Sequence, residues 1–167
     1  MKKLFLLSIV LSIVCATHAQ TEYSVAAPTM EEKFNMTKLV MNNTFLAHIT
    51  VAKNAGMTAE EFGRKCGAVF IPVWDENGGY EPFVKFILYD WACTADDVQI
   101  IEQSDEKLDV MVSSFYQPVE EQGVLFGSSI EDFTAYFNGV MNEIAEHYNQ
   151  SFEMTREEEG YRVVITL

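Results

Sequence analysis

The stretch Leu108–Leu167, LDVMVSSFYQPVEEQGVLFGSSIEDFTAYFNGVMNEIAEHYNQSFEMTREEEGYRVVITL, decides the fold, because its hydrophobic period changes twice. Leu108, Val110 and Val112 alternate with Asp109, Met111 and Ser113. That period of two marks a strand with one buried face, running to Phe115. Ser128-x-x-Glu131 then has the capping-box pattern that opens a helix. Ile130, Phe133, Phe137, Val140, Met141, Ile144 and Tyr148 recur on one side of it. The chain closes with Phe152, Met154 and Arg156, a turn at Glu157-Glu158-Glu159-Gly160, and the alternation Tyr161, Val163, Ile165, Leu167. This is a hairpin pattern. Tyr116 to Gly127 reads as a loop or irregular edge. Upstream, Val98 to Gln103 pairs by pattern with the Leu108 strand across a turn at Ser104–Lys107.

Before these strands the period is helical. Thr29-x-x-Glu32 opens a run without Pro or Gly until Gly56. Phe34, Met41, Phe45, His48 and Ala52 are expected on its buried face. Thr58-x-x-Glu61 opens a second helix, in which Met57 can staple to Phe62 and Phe62, Cys66, Val69, Phe70 and Val73 are expected inside. Gly63 and Gly67, four apart, would let a neighbouring helix come close. Pro72 is expected to bend or end this helix. Asp75-Glu76-Asn77-Gly78-Gly79 is a turn, and a third helix, with a strand as the alternative, starts near Glu81. The order of elements predicts an α+β domain: N-terminal helices followed by ββαββ, a four-stranded antiparallel sheet with helices packed on it.

The first residues, MKKLFLLSIVLSIVCATHAQ, have the form of a secretory signal: Lys2 and Lys3, an apolar run from Leu4 to Val14, and Thr17-His18-Ala19 before a cut at Gln20. The run is too short to span a bilayer. Residues 1–19 are thus expected as a signal peptide, 20–28 as a flexible leader and 29–167 as one domain, secreted or periplasmic. The chain carries 25 acidic against 11 basic residues, a formal net charge of −14. A polyanion or an anionic lipid surface would be repelled, so nucleic-acid binding and membrane docking are excluded as readings.

The residues offer few chemical motifs. There is no G-x-S-x-G elbow, phosphate-binding glycine loop or H-E-x-x-H, and the His and Cys residues lack paired metal-ligand spacing. Neither a metal nor another cofactor is expected. Cys66 and Cys93 leave three alternatives open: a disulfide, two buried free thiols, or one reactive thiol. The densest feature is aromatic: Trp74, Tyr80, Phe83, Phe86, Tyr89 and Trp91 crowd into eighteen residues around Asp90. They can pack helix on sheet, or line a pocket with Asp90, His48 and Tyr116 as polar anchors. The candidate ligand-binding set is therefore His48, Trp74, Phe86, Asp90, Trp91 and Tyr116.

The strand from Leu108 running into SSFYQPVEEQG, Asp132 opening the helix EDFTAYFNGVMNEIAEHYN, and the approach FEMTREEEGY to the last hairpin carry a resemblance. In layout, Leu108–Leu167 resembles the carboxy-terminal portion of L-2-amino-thiazoline-4-carboxylic acid hydrolase-like proteins, which share an architecture with four-vinyl-reductase-type small-molecule-binding domains. The resemblance implies a ligand held between helices and sheet, and a hydrolase-like activity on an amide or a ring. Where the family has cysteines, this chain has Ser113, Ser114, Ser128, Ser129 and the stretch Val163–Thr166, and no cysteine follows Cys93. A thiol nucleophile of the family has no residue here to occupy. Two functions are carried forward. One is a small organic ligand in a helix–sheet pocket. The other is a non-catalytic acidic module that meets a protein partner in the cell envelope. A closed aromatic pocket favours the first, and a large exposed apolar patch favours the second.

Overall fold

The computed structural model describes residues 27–113 and 117–167. The expected signal peptide, most of the leader and Tyr116 lie outside the described residues. Residues 27–33 belong to a first unit, and the second runs from Phe34 to Leu167. In the first, the Glu32 carboxylate accepts from the Thr29 N–H at 2.7 Å, and the Thr29 hydroxyl accepts from the Glu32 N–H at 3.2 Å. This reciprocal cap starts helix α1, Met30–Asn54.

Helix α2 spans Ala59–Glu76, and α3 spans Tyr80–Thr94, so the expected third helix forms rather than the alternative strand. Strands β1 (Asp97–Gln103) and β2 (Lys107–Ser113) follow. A short α4 (Gln117–Gln122) and the two-residue strand β3 (Val124–Leu125) lie in the expected loop, and β3 pairs with β4 (Ser128–Ser129) just after it. Helix α5 is Ile130–His147, and β5 (Phe152–Glu157) and β6 (Gly160–Thr166) close the chain. The main sheet has four antiparallel strands in the order β1-β2-β6-β5, with helices packed on it, which is the expected α+β class. Leu108, Val110 and Val112 share a core with Phe152, Met154, Tyr161, Val163 and Ile165 beneath α5, as their alternation requires.

The sequence rule for capping holds at three helix starts, with one shift. Thr58 and Glu61 form the expected box on α2. On α5 the box is Ser129 with Asp132, one residue later than expected. That shift frees Ser128, which is fully buried and uses its hydroxyl on α1: it donates to the Leu46 carbonyl at 3.3 Å and lies 2.6 Å from the Thr50 hydroxyl. Lys53 adds an ion pair to Asp132 at 2.5 Å. These ties set the rotation of α1. It buries Asn42, Leu46, Ile49 and Ala52, so of the expected face Ala52 is buried and Phe45 half-buried against the core, while Phe34, Met41 and His48 are exposed.

The packing of α2 is also corrected. Its fully buried residues are Ala59, Gly63 and Gly67. Phe62 and Cys66 are half-buried, and Val69, Phe70 and Val73 are exposed. The cause is the close approach that the Gly63/Gly67 spacing allows. A β-carbon on Gly63 would fall on the Tyr136 carbonyl oxygen of α5, and one on Gly67 would lie 2.6 Å from the Val140 carbonyl oxygen. Gly139 meets the Glu60 carbonyl in the same way from the other side. With backbone against backbone, the large side chains of α2 are turned off the contact. The helix also continues past Pro72 to Glu76. It reverses at Gly78 (φ 99°) and Gly79 (φ 87°), a backbone conformation that favours glycine.

The free edge of β5 is covered by one side chain. Asn138 Nδ2 donates to the Met154 carbonyl at 2.9 Å, and the Met154 N–H donates to Asn138 Oδ1 at 2.9 Å. At the other edge, the β1–β2 register shifts between Ile100 and Glu102.

Gly63→Ala should force α2 off α5 and cost about 1–3 kcal/mol, the range for overpacking a tight contact. Urea unfolding at neutral pH measures it, and an unchanged midpoint would show that the contact tolerates a methyl group.

Candidate functional site

The aromatic cluster forms, and it is packed rather than hollow. Trp74 on α2 sits 5.4 Å from Phe83 and 5.3 Å from Phe86 between ring centres. Tyr80 lies 5.7 Å from Phe83 and 5.7 Å from Tyr148 of the α5 C-cap. Trp91 is 1% exposed, with its ring 6.4 Å from Phe152 of β5. These rings therefore fasten α3 to α2, α5 and the sheet. The Tyr80 hydroxyl is buried without a hydrogen-bond partner, and burial pushes its pKa up to about 12.

Among the described residues, neither the groove between α5 and β5 nor the one beside Arg64 is lined by His48, Trp74, Phe86, Asp90 or Trp91. Trp91 is a core residue, Trp74 is half-buried, and Phe86 is 51% exposed. Asp90 is half-buried on α3, and its burial holds the carboxyl above the usual carboxylate range. His48 is exposed on α1, because the ties at Ser128 turn Leu46 and Ile49 inward instead. Tyr116 lies outside the described residues. Cys66 and Cys93 are free thiols, half-buried and exposed respectively. Cys66 faces the Tyr136 hydroxyl of α5, whose pKa is raised by burial and then by the thiol.

Grooves lie elsewhere. One of about 510 Å³ runs between α5 and the edge strand β5, lined by Thr134, Asn138, Asn142, Met154 and Arg156 among others. Three of its polar groups are already engaged. Asn138 is spent on Met154, the Thr134 hydroxyl donates to the Ile130 carbonyl at 2.9 Å, and Arg156 lies 3.6 Å from Glu131. A second groove of about 480 Å³ follows the α1–α2 turn beside Arg64. The Arg64 guanidinium is held by Glu143 at 3.2 Å and Glu146 at 3.0 Å, which raise its pKa. Among the described residues, no three His, Cys, Asp or Glu side chains group to hold a metal ion. No described helix is long and apolar enough to cross a membrane.

Two polar constellations escape sequence reasoning. The first ties the ends of α2 and α5. His147 Nε2 lies 3.1 Å from Asp75 Oδ1, and the Tyr148 hydroxyl donates to that oxygen at 2.8 Å. The Tyr148 hydroxyl comes first among the causes that hold Asp75 below the usual carboxylate range. The second sits on the sheet face away from the helices. Asp109 is 1% exposed although the alternation turns it outward. Arg162 covers it with two bonds, Nε to Oδ1 at 3.1 Å and Nη2 to Oδ2 at 2.8 Å, and Lys107 Nζ lies 3.1 Å from Oδ2. A signal was present: opposite charges one register step apart on neighbouring strands, since Met111 pairs with Arg162 and Asp109 with Val164.

Trp91→Ala should cost about 3–5 kcal/mol of stability, because the indole fills the core. A cost below about 1 kcal/mol in urea unfolding would mean the side chain does not pack as described. Asp109 titrates below its ordinary value, Arg162 being the main cause. Its ion pairs therefore stabilise the fold above the unfolded carboxyl pKa of about 3.9 and are lost as pH falls through the folded value. Asp109→Asn should lower the thermal midpoint by about 2–8 °C at pH 7. The gap should close as the pH is lowered past about 4. A gap of equal size at pH 3 and pH 7 would show that charge is not its origin.

No protein-family model matches the chain, and no curated protein matches it.

Proposed function

We propose that this protein is an acidic, non-catalytic interaction domain of the cell envelope that docks a protein partner on the outer faces of α2 and α3. The observation that carries this reading is exposure. Val69 is 71% exposed, Tyr89 70%, Phe86 51%, Val73 50% and Phe70 48%. Isolated apolar residues on a surface are ordinary, but a row of them on adjacent helices marks an interaction surface. The Trp74–Phe86 contact joins the α2 row to the α3 row. The net charge of −14 favours a partner with basic groups around an apolar centre. The small-ligand reading loses ground because the aromatic rings meet each other and Thr134, Asn138 and Arg156 of the α5–β5 groove are engaged within the protein.

A photo-reactive phenylalanine analogue at Val69 or at Tyr89 tests the reading in the expressing cell. Each should give a discrete cross-linked product, and the same group at Glu158, in the β5–β6 turn, should give none. No product from either helix position would overturn the proposed docking face.

A further inference from the structure

The part of α1 from Phe34 to Met41 is helical, yet none of its side chains is buried. Met36 is 59% exposed, Val40 55%, Phe34 50%, and Leu39 and Met41 38% each. The first buried residue is Asn42. This arm is one unbroken helix with the half of α1 fixed by Leu46, Ile49, Ser128 and Lys53, and no Pro or Gly interrupts it. It has no hinge by which to fold back on its own chain. At about 1.5 Å per residue it extends roughly 12 Å beyond the fixed half.

The arm carries a single charge, Lys38, and the stretch from Lys33 to Ala59 holds no carboxylate in a chain with 25 acidic residues. Helices α2 and α3 have the opposite balance. They carry Glu60, Glu61, Asp75, Glu76, Glu81 and Asp90 against Arg64, Lys65 and Lys85. One chain thus presents an apolar arm bearing one lysine and an apolar face bordered by an excess of carboxylates.

We infer that a second copy of this chain covers the α2/α3 face, laying its Phe34–Met41 arm along Val69, Phe70, Val73, Phe86 and Tyr89, with Lys38 toward the acidic rim. The inference rests on the reading of that face as a docking surface and names its partner. Exchange of arms is reciprocal about a two-fold axis, so each dimer contains the contact twice and closes on itself. Doubling is what lets a short arm approach the roughly 1,200 Å² that a specific interface needs. A lipid surface fits the arm less well. Phe34 and Met41 fall on one side of the helix and Met36 and Val40 on nearly the opposite side, by the turn of about 100° per residue. A flat bilayer takes one side of a helix, whereas a surface built from two helices and a second copy of the arm can contact more than one.

Sedimentation velocity on the purified protein, from about 1 to 100 µM in about 0.15 M salt, tests this. The expected result is a monomer–dimer equilibrium. The double variants Phe34→Asp/Met41→Asp and Val69→Asp/Val73→Asp should each weaken the dimer at least about tenfold. These side chains are exposed, and circular dichroism checks that both variants fold. Mixed together, the two variants should form a dimer weaker than the wild type but stronger than either variant alone, because one of the two contacts in the mixed pair joins an intact arm to an intact face. Lys38→Glu should weaken the wild-type dimer. A monomer throughout the range, or a dimer indifferent to the α2 substitutions, would overturn the inference. So would a monomer that floats with phosphatidylglycerol vesicles. A monomer that still cross-links from Val69 to a different protein would overturn the second copy as partner and leave the docking face standing. A monomer with no cross-link would end both.

Discussion

The backbone contact between α2 and α5 is the constraint on which the rest depends. At Gly63 and Gly139 the two helices meet with carbonyl oxygens standing where β-carbons would otherwise be. Such an approach gains dispersion contacts along the whole crossing, at the cost of the side chains that would normally cover it. The consequence is geometric. Once the small-residue side of α2 is pressed inward, Val69, Phe70 and Val73 are carried outward. The end of α2 is then placed so that Trp74 receives Phe83 and Phe86. Arg64, between Glu143 and Glu146, lies on the flank of the same crossing, half in water, where such pairs contribute little. The glycines set the distance, and the charges follow it.

Much of the fold was legible because its signals are local. Capping boxes at Thr29 and Thr58, the period-two strands and the double-glycine turn each depend on neighbours in sequence. The strand order β1-β2-β6-β5 was not legible, because either strand of each hairpin could stand at the centre. The faces of α1 and α2 were not legible, for different reasons. Helix α1 is apolar on several sides, so its periodicity fits more than one rotation, and the choice is made by Ser128, nearly eighty residues away. Helix α2 reads as amphipathic with large residues inside, and only the contact with Gly139 shows that its small residues win.

The candidate site was less legible for a related reason. Aromatic density in Trp74–Trp91 is the same whether rings line a cavity or fill one. Filling depends on the neighbours Phe152 and Tyr148, which lie at the far end of the chain. Asp109 shows the opposite error. Its place in the alternation is read correctly, but its burial depends on the reach of Arg162 and Lys107 across the sheet surface. Long side chains with apolar stems can cover a short carboxylate without any layer above it. The features that suggest function here, the apolar arm and the apolar acidic face, become visible only after the core has taken its share of the hydrophobic residues.

The amide of Asn138 imitates a strand for a single residue, giving Met154 the donor and acceptor that a fifth strand would bring. An incoming chain would have to evict that amide before it could extend the sheet. On the opposite side, the irregular register at Ile100 leaves an uneven ladder for any newcomer. Strand addition is thus opposed at Met154 on one edge and met by an irregular ladder on the other. Strand-to-strand growth has no natural end, so the edge that still exposes Ile100 and Ile101 is the one on which this irregularity counts.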